Sequence, residues 1–155
     1  VTMSSRIDDN LHVAGRLSCT ELSIPAATVV DSLNLEFRRV ITYSQANGAA
    51  SDETRVIHNV CGTTGTIVGF KAGSIAKAVG DSTVTVDLKK NGTTVLSGVI
   101  TLDNANTAYL AESGTVTSAG LAVGDTLTIV IDATIGTGTL PTGVFVTLVL
   151  DEDAD

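Results

Sequence analysis

From Phe37 onward the chain is a train of about eight apolar runs, each 5 to 11 residues long, separated by clusters of Gly, Asn, Asp and Ser. Short runs bounded by turn residues at this spacing read as the strands of a sandwich or barrel. The pattern predicts strands near 37–45, 54–61, 65–72, 82–89, 93–101, 107–112, 126–132 and 143–150. Composition points the same way, since 23 Thr, 19 Val and 10 Ile stand against 2 Pro. Branching at Cβ crowds a helix but suits a pleat. The expected fold class is all-β: a short N-terminal β-rich arm over 1–35, then an eight-stranded antiparallel β-sandwich over 36–155. A chain of 155 residues allows one full domain with such an appendage.

Within the sandwich, Asn91-Gly92 carries the clearest local signal, because a two-residue type I′ hairpin needs positive φ at both central positions. The strand before it alternates, with Val84, Val86 and Leu88 on one face and Thr83, Thr85 and Asp87 on the other, as a half-buried strand does. The last strand is apolar on both faces: Phe145 and Val149 lie opposite Val144, Val146, Leu148 and Leu150, which predicts burial on both sides. A two-layer sandwich supplies only one inward face, so the second needs either a covering loop or another subunit. Val79-Gly80-Asp81-Ser82 and Val123-Gly124-Asp125-Thr126 each precede a strand and read as one turn solution used twice. In the arm, strand-like pieces at 11–13 and 16–24 are separated by Gly15. Leu17 and Cys19 keep one phase while Leu22 and Ile24 keep the other, as at a bulge. Pro25 ends the run, and 26–35 reads equally as a helical turn or an extended stretch.

The charge balance, 9 Lys plus Arg against 17 Asp plus Glu, gives a net charge of -8. That disfavours a protein that neutralises phosphates over a broad surface, so nucleic acid is not an expected partner. No apolar run reaches 18 residues and the first ten are polar, so no membrane partner and no secretory route are expected. Cys19 and Cys61 lack CxxC or Cys/His spacing. They are expected to be buried free thiols, with a single disulfide as the alternative.

Catalytic chemistry finds no foothold. His58 and Cys61 are an odd number of residues apart and fall on opposite strand faces, which disfavours a nucleophilic dyad. His12 has no second ligand at metal spacing, and Asp151-Glu152-Asp153 with Asp155 reads as a solvated, frayed acidic tail rather than a calcium loop. Gly136 to Gly143 lacks the GxGxxG pattern and the lysine of a phosphate loop, and reads as a flexible connection. With aromatic residues at 3%, the stacking platforms of a sugar cleft are missing. Asn91-Gly92-Thr93 matches a glycosylation sequon, but the turn accounts for it. The expectation is therefore a non-enzymatic protein with no catalytic residues, no metal and no cofactor.

The segment IDDNLHVAGRLSCTELSIPAATVVDS resembles the amino-terminal part of tailed-bacteriophage virion proteins, above all head decoration (cement) proteins and some fibre-like proteins. The later segments FRRVITYSQANGAASDETRVIH, GTIVGFKAGS, VTVDLKKNG and LAVGDTLTIVID resemble their β-sandwich part. That resemblance implies a jelly-roll-like sandwich and a homotrimer on the capsid exterior that bridges capsomers and stabilises the head. It also implies the major capsid protein as partner and synthesis in the host cytoplasm. A phage fibre or receptor-binding head is the alternative. On this plan the arm grips the shell, with Arg6, Leu11, Val13, Leu17 and Leu22 as candidate capsid-binding residues. Leu11, Val13 and Leu17 serve equally to fill a small trimer core. Arg38, Arg39, Phe145 and Val149 are the candidate subunit-interface residues.

Overall fold

The computed structural model describes residues 36–153. The arm over 1–35, with its candidate residues Arg6, Leu11, Val13, Leu17 and Leu22 and with His12 and Cys19, lies outside the described residues. Within them all helical and strand elements are strands: β1 (Glu36–Ser44), β2 (Glu53–Asn59), β3 (Gly65–Ala76), β4 (Thr83–Lys90), β5 (Thr93–Thr94), β6 (Ile100–Leu102), β7 (Glu112–Gly114), β8 (Gly120–Leu121), β9 (Thr126–Thr134) and β10 (Thr142–Asp153).

The topology follows from the hairpin at its centre. Asn91 and Gly92 have φ of 50° and 84°, the type I′ geometry, and fold β5 back on β4 so that Lys90 faces Thr93. Every later strand then pairs antiparallel with an earlier one in mirror order: β6 also with β4, β7 and β8 with β3, β9 with β2, and β10 with β1. Further pairing of β10 with β3 and of β9 with β4 gathers these pairs into two sheets, β1-β10-β3-β7 with β8 on β3, and β2-β9-β4-β5 with β6 on β4. One long hairpin wrapped into two packed sheets is a jelly roll. Counting β5 with β6 and β7 with β8 as interrupted single strands restores the eight expected.

Alternation places the core between the sheets. Val84, Val86 and Leu88 of β4, Leu127, Ile129 and Ile131 of β9, and Val144, Val146, Leu148 and Leu150 of β10 are fully buried. Phe70 on β3 is the largest fully buried side chain, so aliphatic groups fill almost all the interior. Each contributes about 1.5–3 kcal/mol relative to exposure.

Several expectations need correction. The strand near 93–101 is interrupted: between the pairs Lys89–Thr94 and Val86–Ile100, the five residues Val95–Val99 oppose only Asp87 and Leu88. The expected strand at 107–112 is a turn, because Tyr109 takes a left-handed φ of 64°, and pairing begins only at Glu112. The acidic end is no frayed tail: Asp151, Glu152 and Asp153 continue β10, since β1 presents Arg38 and Arg39 across the ladder. Cys61 is an exposed free thiol rather than a buried one, because the chain has left β2 and turns through Gly62 at φ 93°.

The two Gly-Asp corners do share one solution. Gly80 and Gly124 both take left-handed φ, and the following aspartates each tie down a loop. Asp81 accepts from the backbone N–H and hydroxyl of Thr137, while Asp125 accepts from the Ala122 N–H and the Asn91 side chain. These bonds hold both carboxyls below the usual aspartate range. The glycine-rich stretch 136–143 is accordingly pinned rather than loose, with Val79 and Thr139 also exchanging backbone hydrogen bonds at 2.9 and 3.2 Å.

Candidate assembly surface

The outer face of the β1-β10-β3 sheet holds three of the four expected interface residues, Arg38, Phe145 and Val149. Because strand side chains alternate, burying Val144, Val146, Leu148 and Leu150 turns Phe145, Thr147 and Val149 outward. None of these three is fully buried, which corrects the expectation of a strand enclosed on both faces; they are half-buried. Phe145 lies across Gly73, where a Cβ would stand 2.6 Å from its ring and 2.9 Å from the Leu110 carbonyl oxygen. A loop thus covers this end of the second face, held by the Tyr109 N–H donating to the Ser74 carbonyl at 2.8 Å.

The other end is open. Val149 is in register with Val40 on β1 and with Gly69 on β3. Val40 is 62% exposed, and Val68, the extra residue where the β3–β10 register shifts, is 46% exposed. Beside them Gly69 leaves a dent, since a Cβ there meets nothing within 4 Å. The result is a shallow valine stripe across three adjacent strands.

At the edge of this face stand the two arginines, and they point opposite ways as adjacent strand residues must. Arg38 forms a two-pronged pair with Asp151, Nε to Oδ1 and Nη2 to Oδ2 each at 2.8 Å. That guanidinium holds the Asp151 carboxyl below the usual aspartate range. Arg39 instead reaches Glu152, Nε to Oε2 at 2.6 Å. The buried Glu152 carboxylate also meets His58 of β2, Oε1 to Nε2 at 2.8 Å, and so joins the two sheets.

A second clasp joins the same two edges further along. The Tyr43 hydroxyl of β1 donates to Glu53 Oε2 of β2 at 2.5 Å, Gln45 adds a bond at 3.1 Å, and Arg55 pairs with Glu53 Oε1 at 2.8 Å while lying 4.6 Å over the Tyr43 ring. Burial, then the Glu53 carboxylate, pushes the Tyr43 hydroxyl up; the Tyr43 bond, aided by Gln45 and Arg55, pulls Glu53 down. Sequence reasoning took Glu152 for part of a solvated end and gave Tyr43 and Glu53 no role. The available signal was the alternation of β10, which, carried two residues past Leu150, puts Glu152 on the buried face.

His58 therefore serves as an inter-sheet ion-pair partner, and Cys61 donates instead to Asn59 Oδ1 at 3.3 Å. Among the described residues no group of three or more His, Cys, Asp or Glu could hold a metal ion, and no helix is long and apolar enough to cross a membrane.

The fold and this surface together define a jelly-roll domain with one apolar outer stripe. No family model matches the chain, and no curated protein matches it. Among solved structures, one similar chain is that of Desmodium yellow mottle tymovirus, with 11% identity and a TM-score of 0.34 over 97% of this chain and 96% of that one. At that identity and TM-score the likeness supports no particular role.

Proposed function

We propose that the protein is a structural virion component, a homotrimer that decorates the exterior of a bacteriophage capsid, bridges subunits of the major capsid protein and stabilises the head. One observation carries this reading: the valine stripe of Val40, Val149 and Val68 on an outer face that the domain's own core does not require. Contiguous exposed apolar surface gains free energy when a second copy covers it. The sequence resemblance to cement proteins supplies the setting. The net charge of -8 suits an outside position better than the DNA-facing interior. On this reading Arg6, Leu11, Val13, Leu17 and Leu22 grip the shell, and three weak grips joined in one trimer bind far more tightly than one.

Sedimentation equilibrium of the full chain tests the association. A trimer that becomes monomer on Val40→Asp and on Gly69→Glu, with an unchanged far-UV spectrum, is expected; a wild-type monomer at every concentration overturns it. Cosedimentation with undecorated phage shells tests the partner. Deleting residues 1–24 should abolish attachment and leave the sandwich folded, whereas a shortened trimer that still decorates shells would contradict the grip.

A further inference from the structure

The chain contains two Asn-Gly pairs, Asn47-Gly48 and Asn91-Gly92. In such a pair no Cβ on the second residue shields its backbone nitrogen from the asparagine side chain. The fold treats the two pairs differently. Asn91, in the central hairpin, has both ends of its amide held: Nδ2 donates to Asp125 Oδ1 at 2.6 Å, and Oδ1 accepts from the Thr126 N–H at 2.9 Å. Asn59, Asn104 and Asn106 are tied as well, to Thr126 Oγ1, the Gly80 carbonyl and Glu112 Oε1, and each precedes a residue that carries a Cβ. Asn47 alone of the described asparagines is exposed with a side-chain amide that makes no hydrogen bond among the described residues.

Asn47 stands on a short arc between β1 and β2 that β10 anchors on both sides. The Gln45 N–H donates to the Val144 carbonyl at 2.8 Å, and the Gly143 N–H donates to the Gly48 carbonyl at 3.0 Å. Between these anchors the Gly48 N–H bonds the Ala46 carbonyl at 2.7 Å, a contact between exposed residues two apart. Opening so local a bond costs far less than opening a strand. A Cβ on Gly48 would meet nothing within 4 Å, so no packed group crowds the space beside it.

We infer that Asn47 is a site of spontaneous covalent modification, in which the Gly48 backbone nitrogen closes on the Asn47 side-chain carbonyl carbon and the asparagine becomes aspartate or isoaspartate. The new carbon–nitrogen bond forms as the bond to the side-chain amide nitrogen breaks. Ammonia leaves with the hydrogen given up by Gly48, and a five-membered cyclic imide remains. Water then opens the ring at either carbonyl: its oxygen and one hydrogen complete a carboxyl group, and its other hydrogen returns to the nitrogen. No oxidant or reductant takes part. Opening at the backbone carbonyl routes the main chain through the former side chain, which lengthens the arc by one carbon. With both ends of the arc fixed, that extra length falls on the Gly143–Gly48 bond and the neighbouring Ala49–Thr142 bridge. At Asn91 the same closure must first break both side-chain bonds, and its product would set a carboxylate against Asp125. The inference goes beyond the assembly reading and does not rest on it.

The test ages the full chain in mildly alkaline buffer made with heavy-oxygen water, once folded and once unfolded in guanidinium chloride. Peptide mapping by mass spectrometry follows both pairs over time, with fragmentation that separates aspartate from isoaspartate. In the unfolded chain the two pairs should convert at similar rates. In the folded chain Asn47 should convert to both products, each with heavy oxygen incorporated, while Asn91 converts more than about tenfold more slowly because two hydrogen bonds oppose it. Gly48→Ala, which the open space admits, should slow conversion at Asn47 sharply. An Asn47 that stays intact in the folded chain while the unfolded chain converts, equal folded rates at the two pairs, or undiminished conversion in Gly48→Ala would each overturn the proposal.

Discussion

The two sides of this sandwich are built by opposite means. Where β1 and β2 run along one side, 9 and 7 residues long, the sheets are joined by polar clasps: Arg39–Glu152–His58 at one place and Tyr43–Glu53–Arg55 at another. On the opposite side, β5 to β8 are fragments of two or three residues, with a cavity of about 380 Å³ beside β6 and β7. Long edge strands expose many unpaired backbone groups, and charge along them opposes unwanted pairing. The contrast teaches that one fold can tie one margin with ion pairs and interrupt the strands of the other.

The sharpest way to break that contrast is at Glu152. Replacing it with Ala leaves His58 and Arg39 without their shared buried acceptor, and about 2–4 kcal/mol of unfolding free energy should be lost in urea titrations, below the upper values for buried pairs because Arg39 is largely exposed. A stability unchanged within error would show that the clasp is ornamental. Next comes Gly73→Val on the outer face of β3, where the added atoms would meet the Phe145 ring and the Leu110 carbonyl. About 1–3 kcal/mol should be lost through overpacking, with the loop at 107–111 gaining amide-exchange rate. A smaller cost, about 1 kcal/mol, is expected for Gly92→Ala, because the hairpin residue sits at φ 84°.

Acid and base should act unequally on the two sides. Glu53 and Asp151 have folded pKa values below their ordinary ones, so their contribution is complete above the ordinary carboxylate range and is lost as pH falls through the lowered values. Tyr43 is raised, so its contribution is complete below the ordinary tyrosine value and is lost as pH rises through the raised one. Amide exchange along β1 and β2 should therefore accelerate first at both pH extremes. Equal acceleration at β6 and β7 would remove the distinction.

Much of the architecture was legible because periodicity is a local property. The alternation of Val84, Val86 and Leu88, the Asn91-Gly92 turn and the paired Gly-Asp corners all matched what the neighbouring residues dictated. The misreadings arose where a distant strand decided. Tyr109 lies in an apolar run, yet its partner across space is the Ser74 carbonyl, which fixes a turn. Asp151-Glu152-Asp153 looks like a solvated end until Arg38 and Arg39 are set beside it, 113 residues earlier in the case of the first pair.

The candidate surfaces divide along the same line. Phe145 and Val149 could be singled out from the two-sided apolar pattern of one strand, but only tertiary packing laid a loop over the former and left the latter in the open beside Val40. Alternation and turn chemistry, which act over a few residues, determined the strands, the central hairpin and the aliphatic core. The pairing of charges, the interruption of β5–β6 and β7–β8 and the cavity beside β6 and β7 depend on which strands meet, and burial and electrostatics across the completed sheets decided those.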